Sequence, residues 1–247
     1  MDPRLAKARA LVAGASKILV FTGAGISTGS GIPDFRGPDG VWTRREPVLY
    51  PDFVASTAAR QAYWRYKAET WPAFAAARPN AAHAAVVSLE RAGKLLALVT
   101  QNIDSLHRTA GTHTDKLVEL HGSGLYAECL DCHDWVSMEE ALRSFRESGG
   151  VPPQCSCGGW LKPAVVMFGE SLDRENLIRA FGAAEACDLA VAVGSTLSVE
   201  PAASVPLSAK AAGKPYIIVN RGPTAQDAAA DVRLEGDACG ILPELFS

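Results

Sequence analysis

A short apolar segment that runs into two glycines constrains the fold of this chain more than any other feature. Residues 18–21 read ILVF and residues 22–27 continue as TGAGIS. An apolar run of this kind predicts a buried strand, and a glycine-rich turn directly after it lets backbone N–H groups approach a phosphate closely. Thr28 stands where the usual dinucleotide fingerprint has its third glycine. The pattern therefore indicates either a nucleotide site unlike that of a dehydrogenase or only a tight turn.

Length and charge exclude several classes of protein. The chain has 247 residues and a net charge of −3, which suits one large domain with a small insert and gives no strong attraction to nucleic acid or membranes. Its longest apolar runs are shorter than a membrane span. The first 17 residues are charged and helix-forming, without the apolar centre of an export signal. We therefore expect a cytoplasmic protein with neither nucleic acid nor membrane as a partner.

Predicted strands and helices alternate along most of the chain. Helices are predicted at 2–15, 53–77, 81–92, 174–186 and 202–212, and strands at 18–21, 95–99, 117–120, 189–193 and 216–219. This alternation predicts an α/β fold with a doubly wound parallel sheet. A Pro- and Gly-rich stretch, residues 31–52, predicts a long loop, and loops of that length are usually functional. Polar residues follow several predicted strands, where open α/β sheets bind ligands.

Four of the six cysteines lie close together in a segment of different character. Cys129 and Cys132 form one pair, and Cys155 and Cys157 form a second, tighter pair. Two thiolate pairs are typical of a tetrahedral zinc site, which with four protein ligands is structural rather than catalytic. Because His133 follows Cys132, the first pair also matches a haem-attachment pattern. The second pair and the absence of an export signal favour zinc over haem.

Several motifs together resemble the sirtuin family, bacterial type. The motifs are GAGIS at 23–27, GIPDFR at 31–36, TQNID at 100–104, LHG at 120–122, the four cysteines, VVMFGE at 165–170 and GST at 194–196. They cover nearly the whole chain. The resemblance implies a Rossmann-type domain formed by 1–122 and 162–247, with a loop and helical insert at about 31–78. It also implies a zinc-binding module at 123–161.

The resemblance further implies an NAD-dependent protein lysine deacylase, and it carries specific residues. The catalytic residues would be His121, Gln101 and Asn102. NAD would contact Gly23, Ala24, Gly25, Ile26, Ser27, Asp34, Phe35, Arg36, Gln101, Asn102, Ile103, Asp104, His121, Gly194, Ser195, Thr196, Asn220, Arg221 and Ala238. The acyl-lysine protein substrate would lie as an added strand along Val166, Met167, Phe168, Gly169 and Glu170. One zinc ion would be bound by Cys129, Cys132, Cys155 and Cys157.

The implied chemistry gives His121 a definite role. The acyl oxygen of the modified lysine attacks the nicotinamide ribose, nicotinamide leaves, and His121 acts as a base toward a ribose hydroxyl. Free lysine and O-acyl-ADP-ribose are the remaining products. Two positions depart from the family pattern: Asp173 stands where many members have proline, and Ser105 where many have glycine.

Three other functions stay open on the sequence alone. They are an ADP-ribosyltransferase on the same scaffold, a zinc-ribbon binding module, and an NAD-dependent dehydrogenase. The acyl preference rests on one position. Sirtuins that remove succinyl groups resemble one another in a Tyr-x-x-Arg pair, and here Tyr63 is followed by Tyr66 at the arginine's place, with Arg65 one residue away. We therefore expect acetyl or longer apolar acyl groups to be preferred over succinyl, unless Arg65 reaches the pocket.

Overall fold

The computed structural model describes residues 2–34, 40 and 46–247, and it confirms the predicted fold class. A parallel sheet runs through the large domain in the order β3-β2-β1-β7-β8-β9. Its strands are β1 (Ile18–Thr22), β2 (Leu95–Thr100), β3 (Leu117–Glu119), β7 (Leu189–Val193), β8 (Tyr216–Asn220) and β9 (Val232–Glu235). The remaining strands, β4 (Gly122–Cys129), β5 (Trp135–Ser137) and β6 (Leu161–Val165), form a separate antiparallel sheet.

Strand β1 lies in the middle of the large sheet, and all five of its residues are buried. Val20 pairs with Leu98 on one side and with Val191 on the other. The chain passes from β1 outward through β2 and β3, and later returns on the opposite side of β1 through β7, β8 and β9. This reversal places the crevice between the ends of β1, β2 and β7, where open α/β sheets bind ligands.

Helices cover both faces of the large sheet. The described helices are α1 (Pro3–Gly14), α2 (Tyr50–Ala55), α3 (Thr57–Ala76), α4 (Ala81–Arg91), α5 (Leu106–Ala110), α6 (Met138–Glu147), α7 (Arg174–Ala186), α8 (Ser204–Ala211) and α9 (Ala238–Leu245). One core layer joins the sheet to α1, α4 and α9, and the other joins it to α7 and α8. No helix in the described ranges combines the length and the apolar character that a membrane crossing needs.

Asp173, one of the two departures from the family pattern, has a local structural role. It precedes α7, and its carboxylate accepts a hydrogen bond from the backbone N–H of Asn176 at 2.8 Å. An N-cap of this kind stabilises a helix by about 1 kcal/mol. The residue therefore suits the start of α7.

The cysteine-rich segment packs around its own core. Helix α6 lies against β4 and contributes Met138, Leu142 and Phe145 to an apolar cluster that also includes Trp64 of α3. The indole N–H of Trp64 donates to the carbonyl of Leu161 at 3.2 Å. The helical insert and the small sheet therefore share one apolar core.

Several elements differ from the sequence-based expectation. β4, β5, α6, β9 and α9 were not predicted, and β6 belongs to the small sheet, which therefore extends to residue 165. The expected long loop ends at residue 49, since α2 begins at Tyr50. Phe35 and Arg36, two predicted NAD contacts, lie outside the described residues.

Candidate functional site

A cavity of about 940 Å³ opens between the strand ends of the large sheet, one face of α3 and the segment 166–170. Most of the residues predicted to bind NAD or peptide line it. These are Gly23, Ala24, Gly25, Ser27, Asp34, Gln101, Asn102, Ile103, Asp104, His121, Val166, Met167, Phe168, Gly169, Glu170, Gly194, Ser195, Thr196, Asn220, Arg221 and Ala238. Ile26 is instead fully buried in the core below the cavity.

The glycines after β1 are needed first for contact between two loops. A Cβ at Gly23 would come within 2.8 Å of the Gly194 carbonyl oxygen, and a Cβ at Gly25 within 2.7 Å of the Gly194 Cα. The N–H of Gly25 donates to the Gly194 carbonyl at 2.8 Å, and that of Gly23 to Val193 at 3.0 Å. Backbone N–H groups that the sequence pattern assigned to a phosphate are therefore partly used to hold β7 against this loop.

Three polar side chains at the ends of β1 and β2 form a buried chain of hydrogen bonds. The amide of Asn102 donates to Ser27 Oγ at 3.1 Å, and the Ser27 hydroxyl donates to Asp104 Oδ2 at 2.7 Å. Asp104 Oδ1 accepts from the N–H of Leu106 at 2.9 Å. Burial raises the pKa of Asp104, and these donated hydrogen bonds oppose the shift. The network fixes two separate loops relative to each other.

His121 lies at the junction of the two sheets, and its tautomer follows from its partner. Its Nδ1 is 2.9 Å from the carbonyl oxygen of Gln101. A carbonyl only accepts, so in the neutral ring Nδ1 carries the hydrogen and Nε2 carries the lone pair. The side chain of Gln101 donates in turn to Ser195 Oγ at 2.9 Å. A ring held in this way is suited to act as a general base through Nε2.

Gly122 brings His121 close to the segment 166–170. Its φ is +75°, a left-handed conformation that favours glycine, and a Cβ there would collide with the backbone at Ala164. The carbonyl of His121 also accepts a hydrogen bond from the N–H of Val166 at 3.0 Å. The predicted base and the predicted peptide segment are therefore joined directly through the main chain.

The segment 166–170 ends in a turn rather than in a free strand edge. The N–H of Glu170 donates to the Met167 carbonyl at 3.0 Å, and Gly169 has a φ of +85°. Glu170 Oε2 accepts from the N–H of Met167 at 2.9 Å and from Lys162 Nζ at 3.0 Å. An added peptide strand would therefore have to pair with the remaining main-chain groups, and the carboxylate of Glu170 faces inward as a structural support.

The end of β8 closes the opposite side of the cavity. The side-chain amide of Asn220 donates to the carbonyls of Arg221 and Gly222, at 2.9 and 3.1 Å. The guanidinium of Arg221 pairs with the carboxylate of Asp237, which also caps the start of α9. Asn220 thus shapes the loop, while Arg221 lies on the cavity side next to Ala238.

The four predicted metal ligands come together in the small module. Cys129 Sγ lies 3.5 Å from Cys157 Sγ, Cys132 Sγ lies 3.7 Å from Cys155 Sγ, and all four sulfurs lie within 4.8 Å of one another. Tetrahedral zinc with Zn–S bonds of about 2.3 Å separates its sulfurs by about 3.8 Å. The donor set and its spacing fit a closed structural zinc site, and the convergence of the second pair disfavours the haem pattern.

Comparison with known proteins decides the family. The model of the Sir2 family matches residues 23–201, from the glycine loop after β1 past the end of β7. This chain belongs to the Sir2 family. The predicted resemblance is therefore confirmed.

Relatives and solved structures in the Sir2 family cover nearly the whole chain. "NAD-dependent protein deacetylase 1" of Bradyrhizobium diazoefficiens is 45% identical over 92% of this chain and 89% of its own. "NAD-dependent protein deacylase 2" of Archaeoglobus fulgidus is 41% identical over 99% of this chain and 96% of its own. A Sir2 complex with deacetylated p53 peptide and 3'-O-acetyl ADP-ribose has a TM-score of 0.90 at 34% identity, covering 98% of this chain and 96% of that one.

Two further residues, which no sequence motif singles out, lie at the site. Asn80 precedes the predicted helix at 81–92, and its side-chain amide donates to the Ile26 carbonyl at 2.8 Å and to Ser30 Oγ at 2.9 Å, so it fixes the glycine loop. Lys67 lines the cavity together with Tyr63 and Tyr66. In the sequence, Lys67 could have been placed beside Tyr63 because residues four apart lie on the same face of a helix.

Proposed function

We propose that this Sir2 family member is an NAD-dependent protein lysine deacylase. It transfers the acyl group of a modified lysine to ADP-ribose, and nicotinamide is released. The amide bond of the acyl-lysine and the bond between nicotinamide and ribose break, an ester bond to ADP-ribose forms, and one water is consumed. Relatives at 41–45% identity carry deacetylase and deacylase names, and solved relatives contain p53 peptide with NAD or with acetyl ADP-ribose.

The position of His121 is the single observation that carries this proposal. Its ring is held by the Gln101 carbonyl on the side of the strand ends, and its own carbonyl is bonded to Val166 on the side of the peptide segment. When bound, NAD supplies an electrophilic ribose carbon and a nicotinamide leaving group. His121 Nε2 would accept a proton from a ribose hydroxyl, and the hydrogen bond at Nδ1 would keep the ring oriented while it does so.

The other predicted residues would bind and orient NAD and the acyl-lysine protein. The chain of Ser27, Asn102 and Asp104 would fix the loops around the nicotinamide ribose, and the bond from Gln101 to Ser195 would fix the loop whose carbonyl holds the ring of His121. The glycine loop, Thr196, Asn220, Arg221 and Ala238 would contact the rest of NAD. Asp34, Phe35 and Arg36 complete the proposed NAD site. Acyl-lysine proteins would dock at 166–170, and the zinc ion would stabilise the adjoining module.

Mass spectrometry of an acetyl-lysine peptide incubated with the protein and NAD tests the proposal. We expect unmodified peptide, nicotinamide and O-acetyl-ADP-ribose in equal amounts. A peptide that gains ADP-ribose would identify a transferase instead. Formation of reduced cofactor without nicotinamide would identify a dehydrogenase.

We also propose a cytoplasmic location. All six cysteines are free of disulfides, and four of them converge on one metal-type cluster. Thiols in this state are typical of a reducing compartment. Fractionation of cells that express the tagged chain would check this, and recovery outside the cytoplasm would contradict it.

A further inference from the structure

The outer face of the small sheet carries two exposed aromatic rings. The inner face of β4 packs into the apolar cluster around α6 through Ala127 and Cys129, which are fully buried. On the opposite face, Trp135 of β5 is 56% exposed and Tyr126 of β4 is 44% exposed. The two ring centroids lie 5.8 Å apart, and the ring planes are inclined by 54°. Adjacent large aromatic side chains left in water are typical of a surface that binds a partner.

The register of the strands places a carboxylate beside these rings. Trp135 lies opposite Glu128, and Tyr126 lies opposite Ser137. Residues opposite each other in antiparallel strands have their side chains on the same face of the sheet. We call the surface formed by Tyr126, Glu128, Trp135 and Ser137 the aromatic face. In the part of the chain that the structure describes, the lysine and arginine side chains that contact aromatic rings contact other rings, so the rings of this face are available to a cation from a partner.

The charge around the aromatic face favours such a cationic partner. Residues 122–142 contain five carboxylates and neither lysine nor arginine. Glu128 Oε1 lies 2.9 Å from His133 Nδ1. Lys162 lies opposite Glu128 in β6, but its ammonium is directed to Glu170 at 3.0 Å instead. Among the described residues, no lysine or arginine therefore pairs with Glu128. Aromatic rings beside a carboxylate form a binding site for a lysine or arginine side chain.

The aromatic face lies on the same side of the small sheet as the support of the peptide segment. Lys162, whose ammonium supports Glu170 at the end of that segment, is one strand away from Glu128, and Trp135 is one strand farther. Because neighbouring strands are about 4.8 Å apart, Trp135 lies about 10 Å from Lys162 across the sheet. An extended chain advances about 3.3 Å per residue, so a side chain about three to six residues from a bound acyl-lysine can reach the aromatic face.

We propose that the aromatic face binds a lysine or arginine side chain of the acylated protein substrate, about three to six residues from the acyl-lysine. The cation lies against the rings of Trp135 and Tyr126, and the carboxylate of Glu128 is its counter-ion. The proposal rests on the proposed deacylase function. It adds to that function a preference for substrates that carry a basic residue near the modified lysine.

Peptides that differ only in one charge test this partner. Each acetyl-lysine peptide carries arginine at one position, about three to six residues to either side of the acetyl-lysine. A matched peptide carries citrulline there, which has nearly the same shape as arginine but no charge. We expect kcat/KM to be about 3- to 10-fold higher for arginine than for citrulline at one or more of these positions, as for a partly desolvated cation–aromatic contact. Equal values at every position overturn the proposal.

Trp135→Thr tests whether the aromatic face causes this preference. The substitution removes the larger ring and keeps a residue suited to a strand. We expect the ratio of kcat/KM for arginine and citrulline peptides to fall to about 1, because the contact with the cation is lost. A loss of folding or of NAD binding affects both peptides, so it divides out of the ratio. Trp135→Phe keeps an aromatic ring and should retain part of the preference. A ratio that is unchanged in Trp135→Thr contradicts the proposal.

Two glutamate variants separate a contact from long-range attraction. Glu128→Gln and Glu185→Gln each remove one negative charge, but Glu128 belongs to the aromatic face, whereas Glu185 is exposed on α7. Only Glu128→Gln should lower the ratio, by about two- to fivefold, the range of an ion pair near the surface. An equal decrease in both variants would mean that the arginine is attracted by overall charge, and it would overturn the proposal.

Two further measurements distinguish other outcomes. Fluorescence anisotropy with labelled arginine and citrulline peptides measures their affinities without turnover. If no acyl peptide releases nicotinamide, the proposed function fails, and the ratio of these affinities still decides whether the aromatic face binds the cation. Sedimentation velocity tests a second copy of the chain as the occupant. A dimer that Trp135→Thr converts to a monomer would assign the aromatic face to self-association and overturn the proposal.

Discussion

The strand-end site and the cysteine module are held together by different means. In the site, Ser27 lies far along the chain from Asn102 and Asp104, and side-chain hydrogen bonds connect the three above the fully buried central strand β1. In the module, two short turns bring four thiols within 4.8 Å of one another, and their mutual repulsion as thiolates needs a cation. The site is therefore organised by the fold alone, whereas the module depends on its metal.

Loss of the His121 side chain should impair catalysis at the strand-end site without affecting the fold. His121→Ala should reduce kcat for deacylation by about a hundredfold to ten-thousandfold, because a general base is lost. The sheet below the site should be unaffected, because the ring of His121 bonds to the carbonyl of Gln101, one residue past the end of β2. Steady-state kinetics with an acetylated peptide and calorimetric titration with NAD measure the two properties separately.

Gln101 provides the control for His121→Ala. Gln101→Ala keeps the main-chain carbonyl that binds the ring and removes only the side-chain bond to Ser195, so it should reduce kcat much less. Near-normal turnover by His121→Ala would show that His121 is not the general base.

Removal of one metal ligand tests the opposite region. Cys155→Ser should release zinc and loosen the small module, because a hydroxyl is a poor replacement for a thiolate. The intact protein should contain one zinc per chain by elemental analysis, and the variant should contain much less. Cys187→Ser, at a buried thiol outside the cluster, should retain the metal. Full zinc content in the Cys155 variant would contradict a four-thiolate site.

Most of the large sheet was predictable because four of its strands, β1, β2, β7 and β8, consist mainly of consecutive apolar residues. β1, β2, β7 and β8 all lie within about a residue of their predicted bounds. β9 was missed because the segment VRLE places two charged residues in a four-residue strand. β4 was missed because Gly122, Ser123 and Gly124 weaken its strand pattern, and its partner β6 carries a buried lysine and a proline.

The residue types of the site could be predicted, but several contacts could not. Polar residues after strands indicated the location, because parallel strands end at one edge. The donation from Gly25 to Gly194 and the bond from Asn80 to Ile26 join segments far apart in the chain, and no local pattern encodes such partners.

A buried histidine pair below the site predicts acid sensitivity. The rings of His83 and His107 lie 4.8 Å apart. Burial lowers the pKa of His83 from 6.5 to about 4 and that of His107 well below 6.5. Between the lowered pKa of the folded state and the pKa of 6.5 in the unfolded chain, the unfolded chain binds more protons than the folded one. The full free energy of unfolding is therefore present above pH 6.5 and decreases as the pH falls. His83 alone should cost about 2 kcal/mol of unfolding free energy between pH 7 and pH 5.

Urea unfolding at the two pH values measures this loss. His83→Gln should weaken the pH dependence, and His113→Gln, at an exposed histidine, should leave it unchanged. Burial raises the pKa of Asp104. A carboxyl group with a raised pKa stabilises the folded state as the pH falls, so Asp104 opposes the effect of the histidine pair. A His83→Gln variant that keeps the full loss of stability between pH 7 and pH 5 would mean that the buried histidine is not its source.

Lys162 connects the cysteine module to the peptide segment beside the site. Lys162 is buried in β6, and its ammonium donates to the Val165 carbonyl at 2.7 Å and to Glu170 Oε2 at 3.0 Å. β6 pairs with β4 beside Cys129, so one strand reaches from the cysteine cluster to the start of the peptide segment. Lys162→Met keeps the length of the side chain but leaves Glu170 without its cation and the turn at 167–170 without its support.

We expect Lys162→Met to raise the KM for an acetylated peptide by about 5- to 10-fold, because a displacement of about 1 Å in a binding segment has effects of this order or larger. The KM for NAD should change little, since the strand-end network does not include Lys162. Glu170→Gln keeps an acceptor for both donors and should have a smaller effect. Lys210→Met, which removes a surface lysine paired with Asp231 at 2.7 Å, should have none. If Lys162→Met raised both KM values equally, the two regions would not be separable, and the peptide segment would have to be regarded as part of the NAD site.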